Sequence, residues 1–128
     1  MKILLDTHVV LWAAYQDELL SPRARRSIQS KRNEIFVSAA SAWEVVTKFR
    51  LGKLAFARDL AEDFVANVTS AGYLLLSISV EHALRAGRFT AAHNDPFDRM
   101  LAAQAIHEDL LLLSSDTQLD TFGVRREW

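Results

Sequence analysis

Two apolar runs that do not alternate constrain the fold of this chain more than any other feature. Ile3-Leu4-Leu5 lies at its start, and Leu110-Leu111-Leu112-Leu113 comes near its end. A strand half exposed to water alternates apolar and polar residues, because successive side chains point to opposite faces. A run that is apolar at every position belongs in a sheet covered on both sides, and such sheets are mostly parallel. Each run ends in polar residues: Asp6 follows the first, and Ser114-Ser115-Asp116 follows the second. If the two strands are parallel neighbours, Asp6 and Asp116 emerge side by side at one sheet edge.

The intervening segments supply helices and further strands. After the strand Lys2–Leu5, residues His8 to Tyr15 read as a helix with Val9, Trp12 and Ala13 on one stripe. Ser21-Pro22 starts a second helix, with Ser as N-cap and Pro at the first position, running to about Lys31. Glu34 to Ser38 is a strand. Ser41-Ala42-Trp43-Glu44 has the capping-box pattern and opens a helix ending near Leu51-Gly52. A helix over Asp59 to Ala71 stops at Gly72, and Tyr73 to Ile78 is a third strand. Ser79 caps a short helix ending near Gly87. After a loop over Arg88 to Asn94, Asp95-Pro96-Phe97-Asp98 starts a helix that continues through Met100 to Glu108, with Asp95 as its N-cap. Leu110 to Ser114 is the fourth strand, and Val124 to Trp128 forms a short edge strand. Strands alternating with helices predict an α/β fold, a three-layer α/β/α sandwich with a mostly parallel central sheet. Its 128 residues make one domain, residues 1–128, large enough for a proper core.

Function in such sheets sits at the carboxyl ends of the strands. Asp6 and Asp116 lie there, and the helix N-termini carrying Glu44 and Asp98 open at the same edge. Each acid also has a plainer role. Asp6 can cap the next helix, Glu44 can bond back to Ser41, and Asp98 suits a first helical turn. Asp95 can be an N-cap alone, and Asp116 can close a turn with Thr117. Jointly they pose a charge problem, since two unit charges ~4 Å apart cost roughly 4 kcal/mol at an intermediate dielectric. Four gathered carboxylates imply Mg²⁺ or Mn²⁺, and with it phosphate chemistry. Neutralising Asp6 should then slightly stabilise the metal-free protein.

Other residues say less. Ser114 and Ser115 either orient a water or close the strand end. His8, His82, His93 and His107 show no HExxH spacing. His8 and His93 lie near the acidic edge, and a surface or packing role is the simpler assignment for them. Trp12 and Trp43 sit on apolar helical stripes and read as core or dimer contacts. No Walker A, GxGxxG or GxSxG pattern occurs. The absence of cysteine excludes disulfides, zinc–thiolate sites and thiol nucleophiles, and is compatible with a reducing cytoplasm, the expected compartment. The start of the chain is too soon interrupted by Asp6 to read as a signal peptide, and no apolar run approaches the ~20 residues of a membrane span. A net charge of −1 does not announce a nucleic-acid binder. Arg23, Arg25, Arg26, Lys31 and Arg32 nevertheless crowd together, either as a solvated helix face or as a phosphate-contacting patch.

Three longer motifs carry a resemblance. Leu4-Leu5-Asp6-Thr7-His8-Val9-Val10-Leu11-Trp12 is similar to the opening of a PIN domain. Ser38-Ala39-Ala40-Ser41-Ala42-Trp43-Glu44-Val45-Val46, followed by Lys48 and Gly52-Lys53-Leu54, resembles that family's second motif. His93-Asn94-Asp95-Pro96-Phe97-Asp98-Arg99-Met100-Leu101-Ala102-Ala103-Gln104-Ala105 resembles the third, and Ser115-Asp116-Thr117 stands where the fourth acid is found. The order matches and nearly the whole chain is covered. The closest likeness is to VapC-type toxins of type II toxin–antitoxin systems. It implies a Mg²⁺- or Mn²⁺-dependent endoribonuclease that cleaves RNA, forms a homodimer and is inhibited by a cognate antitoxin. By motif, Asp6, Glu44, Asp98 and Asp116 form the metal-binding and catalytic quartet, and Asp95 matches an additional acid of this subgroup. Lys48 or Arg99 would steady the scissile phosphate, or Arg99 would brace the carboxylates. One departure is Ser-Ser before Asp116, where Thr is frequent.

Two rival readings have distinct signatures. A phosphoacceptor receiver domain wants paired acids after its first strand and a lysine after a late one, whereas here a single Asp6 follows the first strand. A PIN-like module that binds without cutting would have no need to keep all four acids.

Overall fold

The computed structural model describes residues 1–128. Five strands, β1 (Lys2–Leu5), β2 (Glu34–Ser38), β3 (Leu74–Leu76), β4 (Leu111–Leu113) and β5 (Arg126–Glu127), form one sheet. Their order is β3-β2-β1-β4-β5, and every neighbouring pair is parallel. The helices are α1 (Thr7–Tyr15), α2 (Pro22–Gln29), α3 (Ala39–Arg50), α4 (Arg58–Glu62), α5 (Phe64–Ser70), α6 (Val80–Arg88) and α7 (Pro96–His107). Short 3₁₀ segments cover Asp17–Leu19, Ala55–Ala57 and Thr117–Phe122.

The pleat divides the apolar runs between two cores. Ile3 and Leu5 of β1 join Leu111 and Leu113 of β4 on one face, under α1, α2, α4 and α5. Leu4 and Leu112 point the other way, against Leu101, Ala102 and Ala105 of α7 and Leu119 and Phe122 of the last 3₁₀ segment. Helix α3 reaches both cores, with Val45 in the first and Ala40 in the second. The result is the α/β/α sandwich that the apolar runs predict.

Three local expectations change. Helix α3 begins before Ser41, because Ser38 leaves β2 in an extended conformation and its Oγ accepts from the Ala40 N–H at 2.9 Å. Ser41 is therefore inside the helix and pairs with Thr7 Oγ1 at 2.9 Å, so the capping box with Glu44 does not form. The single helix expected over Asp59 to Ala71 is two, broken where Asp63 takes φ −143° and ψ 63°. Asn67 Nδ2 donates to the carbonyls of Asp59 and Asp63 and satisfies acceptors at the break. The third strand is only Leu74–Leu76, and it lies at the sheet edge with β2 as its one partner.

The strand order fixes where a site can be. The chain passes from β1 outward to β2 and β3, then returns to the other side of β1 for β4. Connections leave β1 and β4 in opposite directions, which makes the gap beyond their carboxyl ends the switch point of the sheet. Leu5 is in register with Leu113, and the Asp6 N–H donates to the Leu113 carbonyl at 3.1 Å.

Candidate metal centre

Asp6, Glu44, Asp95, Asp98 and Asp116 line one cavity of about 350 Å³ at that gap, together with Thr7, His8 and Lys48. Asp6 is buried at the end of β1. Its Oδ1 accepts from the Thr7 N–H at 2.7 Å, capping α1, and its Oδ2 accepts from Ser114 Oγ at 2.6 Å. His8 Nδ1 lies 3.2 Å from the same Oδ2. Burial pushes the Asp6 carboxyl up, but His8, Ser114 and Thr7 outweigh it and hold its pKa below the usual carboxylate value. The capping role and the site role of Asp6 thus coexist.

Glu44 sits one turn before Lys48 on α3, and its Oε2 accepts from Lys48 Nζ. Burial disfavours the charged lysine, yet Glu44, with Asp95 and Asp98 beyond it, keeps the ammonium pKa raised. Asp98, in the first turn of α7, is in the opposite position. Burial, then repulsion from Asp6 and Asp95, lifts its carboxyl to about 6 even though His93 Nε2 donates to Oδ2 at 2.8 Å. Asp95 is the N-cap of α7: its Oδ1 accepts from the N–H groups of Phe97 and Asp98 at 2.9 and 3.1 Å. Asp116 caps the 3₁₀ segment by accepting from the Gln118 N–H at 2.9 Å, as the turn reading expected. Its own N–H donates to Ser114 Oγ at 3.0 Å, so that one hydroxyl ties Asp116 to Asp6.

The two histidines assigned to surface or packing stand in the site instead. His8 bridges Asp6 and Ser115, with its Nε2 3.0 Å from Ser115 Oγ. His93, Asp98 and Asp116 bring one ligand atom each to within 4.8 Å of one another. The signal for both was adjacency: His8 is two residues after Asp6, and His93 is five before Asp98. Arg99 moves the other way. Its guanidinium donates to the carbonyls of Ala86, Phe89, Ala91 and His93, so it neither lines the acid cavity nor braces the carboxylates directly.

A second cluster, His82, His107 and Glu108, fits a metal poorly. His82 Nδ1 accepts from the Ser79 N–H at 2.9 Å, which leaves the ring proton on Nε2, 2.8 Å from Glu108. A metal at Nε2 would force a proton onto Nδ1, against the Ser79 donor. His82 instead completes the capping box of α6.

The acid cavity suits a hard divalent cation. Five carboxylates face one ammonium there, and burial together with repulsion from Asp6 and Asp95 makes the Asp98 charge costly without a cation. Oxygen donors of this kind match Mg²⁺ or Mn²⁺. No helix is long and apolar enough to cross a membrane.

Comparison with solved structures finds the same fold. The VapBC2 structure from Rickettsia felis, bound to a promoter DNA fragment, matches with a TM-score of 0.72 and 16% identity, covering 99% of this chain and 98% of that one. VapBC-1 from nontypeable Haemophilus influenzae matches with a TM-score of 0.67 and 13% identity, covering 99% and 97%. FitAcB from Neisseria gonorrhoeae matches with a TM-score of 0.62 and 19% identity, covering 97% and 95%. Comparison with curated proteins returns no match. The PIN domain profile matches residues 3–124. With nearly its whole length matched, this chain belongs to the PIN domain family.

Proposed function

We propose that the protein is a Mg²⁺- or Mn²⁺-dependent endoribonuclease of the VapC type, the toxin of a toxin–antitoxin pair. The observation that carries this reading is the convergence of five acids on one cavity at the switch point of a PIN-domain sheet. The resemblance of the fold to structures of VapBC complexes supports the toxin assignment and an antitoxin partner.

Asp6, Asp98 and Asp116 would hold the cation, with Glu44 completing the site and Asp95 a further donor through the oxygen it does not use for capping. When bound, the cation supplies a nucleophilic water near neutral pH and offsets charge on the phosphodiester in the transition state. Ser114 serves two of these acids at once: its Oγ donates to the Asp6 carboxylate at 2.6 Å and accepts from the Asp116 backbone N–H at 3.0 Å. Lys48 is paired with Glu44 and lines the cavity, within which it meets an RNA phosphate as a point charge. Trp43 is 63% exposed, so it is not core, and in the homodimer reading it belongs to the contact between copies. Trp12, by contrast, packs against the first core and Trp128.

Purified protein incubated with RNA and Mg²⁺ or Mn²⁺ tests this. Cleavage that stops in excess EDTA and is lost in Asp6→Asn is the expected result. Undiminished cleavage in chelator would exclude the metal mechanism. Failure to bind Mn²⁺ in a calorimetric titration would favour a binding module that does not cut.

A further inference from the structure

Arg99 follows a site acid, yet it faces away from the site. Successive helical residues point about 100° apart, so Asp98 meets the acid cavity while Arg99 meets the segment that joins α6 to α7. That segment, Phe89 to Asn94, has no regular secondary structure. Its carbonyls therefore need partners from elsewhere, and Arg99 serves three of them as well as one carbonyl at the end of α6. Nε donates to Ala86 at 3.1 Å, Nη2 to Phe89 at 2.7 Å, and Nη1 to both Ala91 at 3.3 Å and His93 at 3.0 Å. No carboxylate pairs with it. The guanidinium carbon stands 5.9 Å from the Phe89 ring and 6.0 Å from the Phe122 ring. Phe122 also lies 5.8 Å from the His93 ring. The last carbonyl in this set belongs to His93, whose Nε2 is the donor on Asp98 Oδ2 at 2.8 Å.

We propose that Arg99 is a positioning residue: its planar fork shapes the Phe89–Asn94 segment so that His93 orients the Asp98 carboxylate for the cation. The proposal rests on the metal-dependent reading above. A guanidinium is required because four carbonyls in different directions need donors spread over a rigid plane. A lysine presents its donors from one nitrogen and serves only part of the set. Removing a partner that orients a ligand typically costs about 10–100-fold in metal affinity.

Arg99→Lys tests the idea, read by Mn²⁺ calorimetry and by the His93 imidazole resonances of the metal-free protein at one fixed pH. The expected result is a folded variant with a thermal transition, about 10-fold or greater loss of Mn²⁺ affinity, and loss of the wild-type His93 Nε2–H signal. RNA cleavage should fall in kcat with KM little changed. Millimolar guanidinium should restore part of the Mn²⁺ affinity to Arg99→Ala. A variant with wild-type Mn²⁺ affinity and His93 signal but a raised KM would overturn the proposal in favour of a phosphate contact. If the Arg99 variants do not fold, His93→Ala decides: wild-type Mn²⁺ affinity there sinks the route through His93. Absence of metal binding by the wild-type protein would refute the function above, while the His93 signal would still report on the loop.

Discussion

Strands β3 and β4 are both written Leu-Leu-Leu, and the fold treats them oppositely. Leu111, Leu112 and Leu113 are buried, whereas Leu74 and Leu75 are 46% and 44% exposed. β4 lies between β1 and β5 and contributes to both cores, while β3 has β2 on one side and nothing on the other. Their endings differ as well. β4 runs into Ser114-Ser115-Asp116 and the acid cavity, and β3 runs into Ser77-Ile78-Ser79, where Ser79 caps α6. An apolar tripeptide is enough to make a strand. Its place in the sheet order decides whether it is core and whether its end is a site.

Substituting the two strand ends gives the largest contrast. On the proposed function, in which Asp116 holds the cation, Asp116→Asn should lower RNA cleavage more than about 100-fold, beyond the cost of losing a partner that only orients a ligand. Ser79→Ala should leave turnover intact and cost about 1 kcal/mol of stability through the lost cap. Equal activity of both variants in a gel-based cleavage assay would erase the functional difference between the ends.

Truncating the strands themselves comes next. Leu113→Ala, at a fully buried position, should cost about 2–5 kcal/mol in urea denaturation. Leu75→Ala should cost under about 1 kcal/mol, because much of its side chain already meets water. Similar losses would mean that β3 is covered in solution, as a second copy or another chain on that edge would do.

The acid cavity beyond β4, through Asp98 of α7, should also give stability a pH dependence. Asp98 is held at about 6 against an ordinary 3.8. Between those values the folded chain binds more protons than the unfolded chain, so metal-free stability rises as pH falls through 6 and the cost returns above it. Asp98→Asn should remove this rise, and saturating Mg²⁺ should reverse it, since the cation needs the carboxylate. Thermal melts of wild type and Asp98→Asn, with and without Mg²⁺, at about pH 7.5 and pH 5 check the sign. The smallest effect belongs to Leu74→Lys on the open edge. Its stability should stay within about 0.5 kcal/mol of wild type, with any edge-to-edge association weakened in sedimentation runs.

The donors around Asp6 revise an expectation about that residue. Gathered carboxylates suggested that neutralising Asp6 would stabilise the metal-free protein, but Asp6 has its own donors in Ser114, Thr7 and His8. Asp6→Asn therefore loses favourable bonds, and relief of repulsion is to be sought at Asp98.

Sequence patterning made the sandwich legible because Ile3-Leu4-Leu5 and Leu111-Leu112-Leu113 need cover on both faces, and because Ser21-Pro22 and Asp95-Pro96 announce helix starts. It failed where two local signals compete. Ser38 and Ser41 can both cap, and the one leaving the strand prevails. It also failed where a side chain acts across the fold. Nothing near Arg99 in the sequence says that its partners are carbonyls up to 13 residues earlier. Nor did the spacing of His8 and His93 resemble any metal-ligand pattern, because each meets a local carboxylate rather than another histidine.

The bond from Ser114 Oγ to Asp6 Oδ2 joins residues 108 positions apart. Chain order therefore sets a sequence in time. A chain made only as far as β3 carries Asp6 and Glu44 but none of Asp95, Asp98 and Asp116, so it has no cavity to fill with a cation. Closing so long a loop is among the slower steps available to a small domain. The five acids therefore come together only when β4 has paired in parallel with β1.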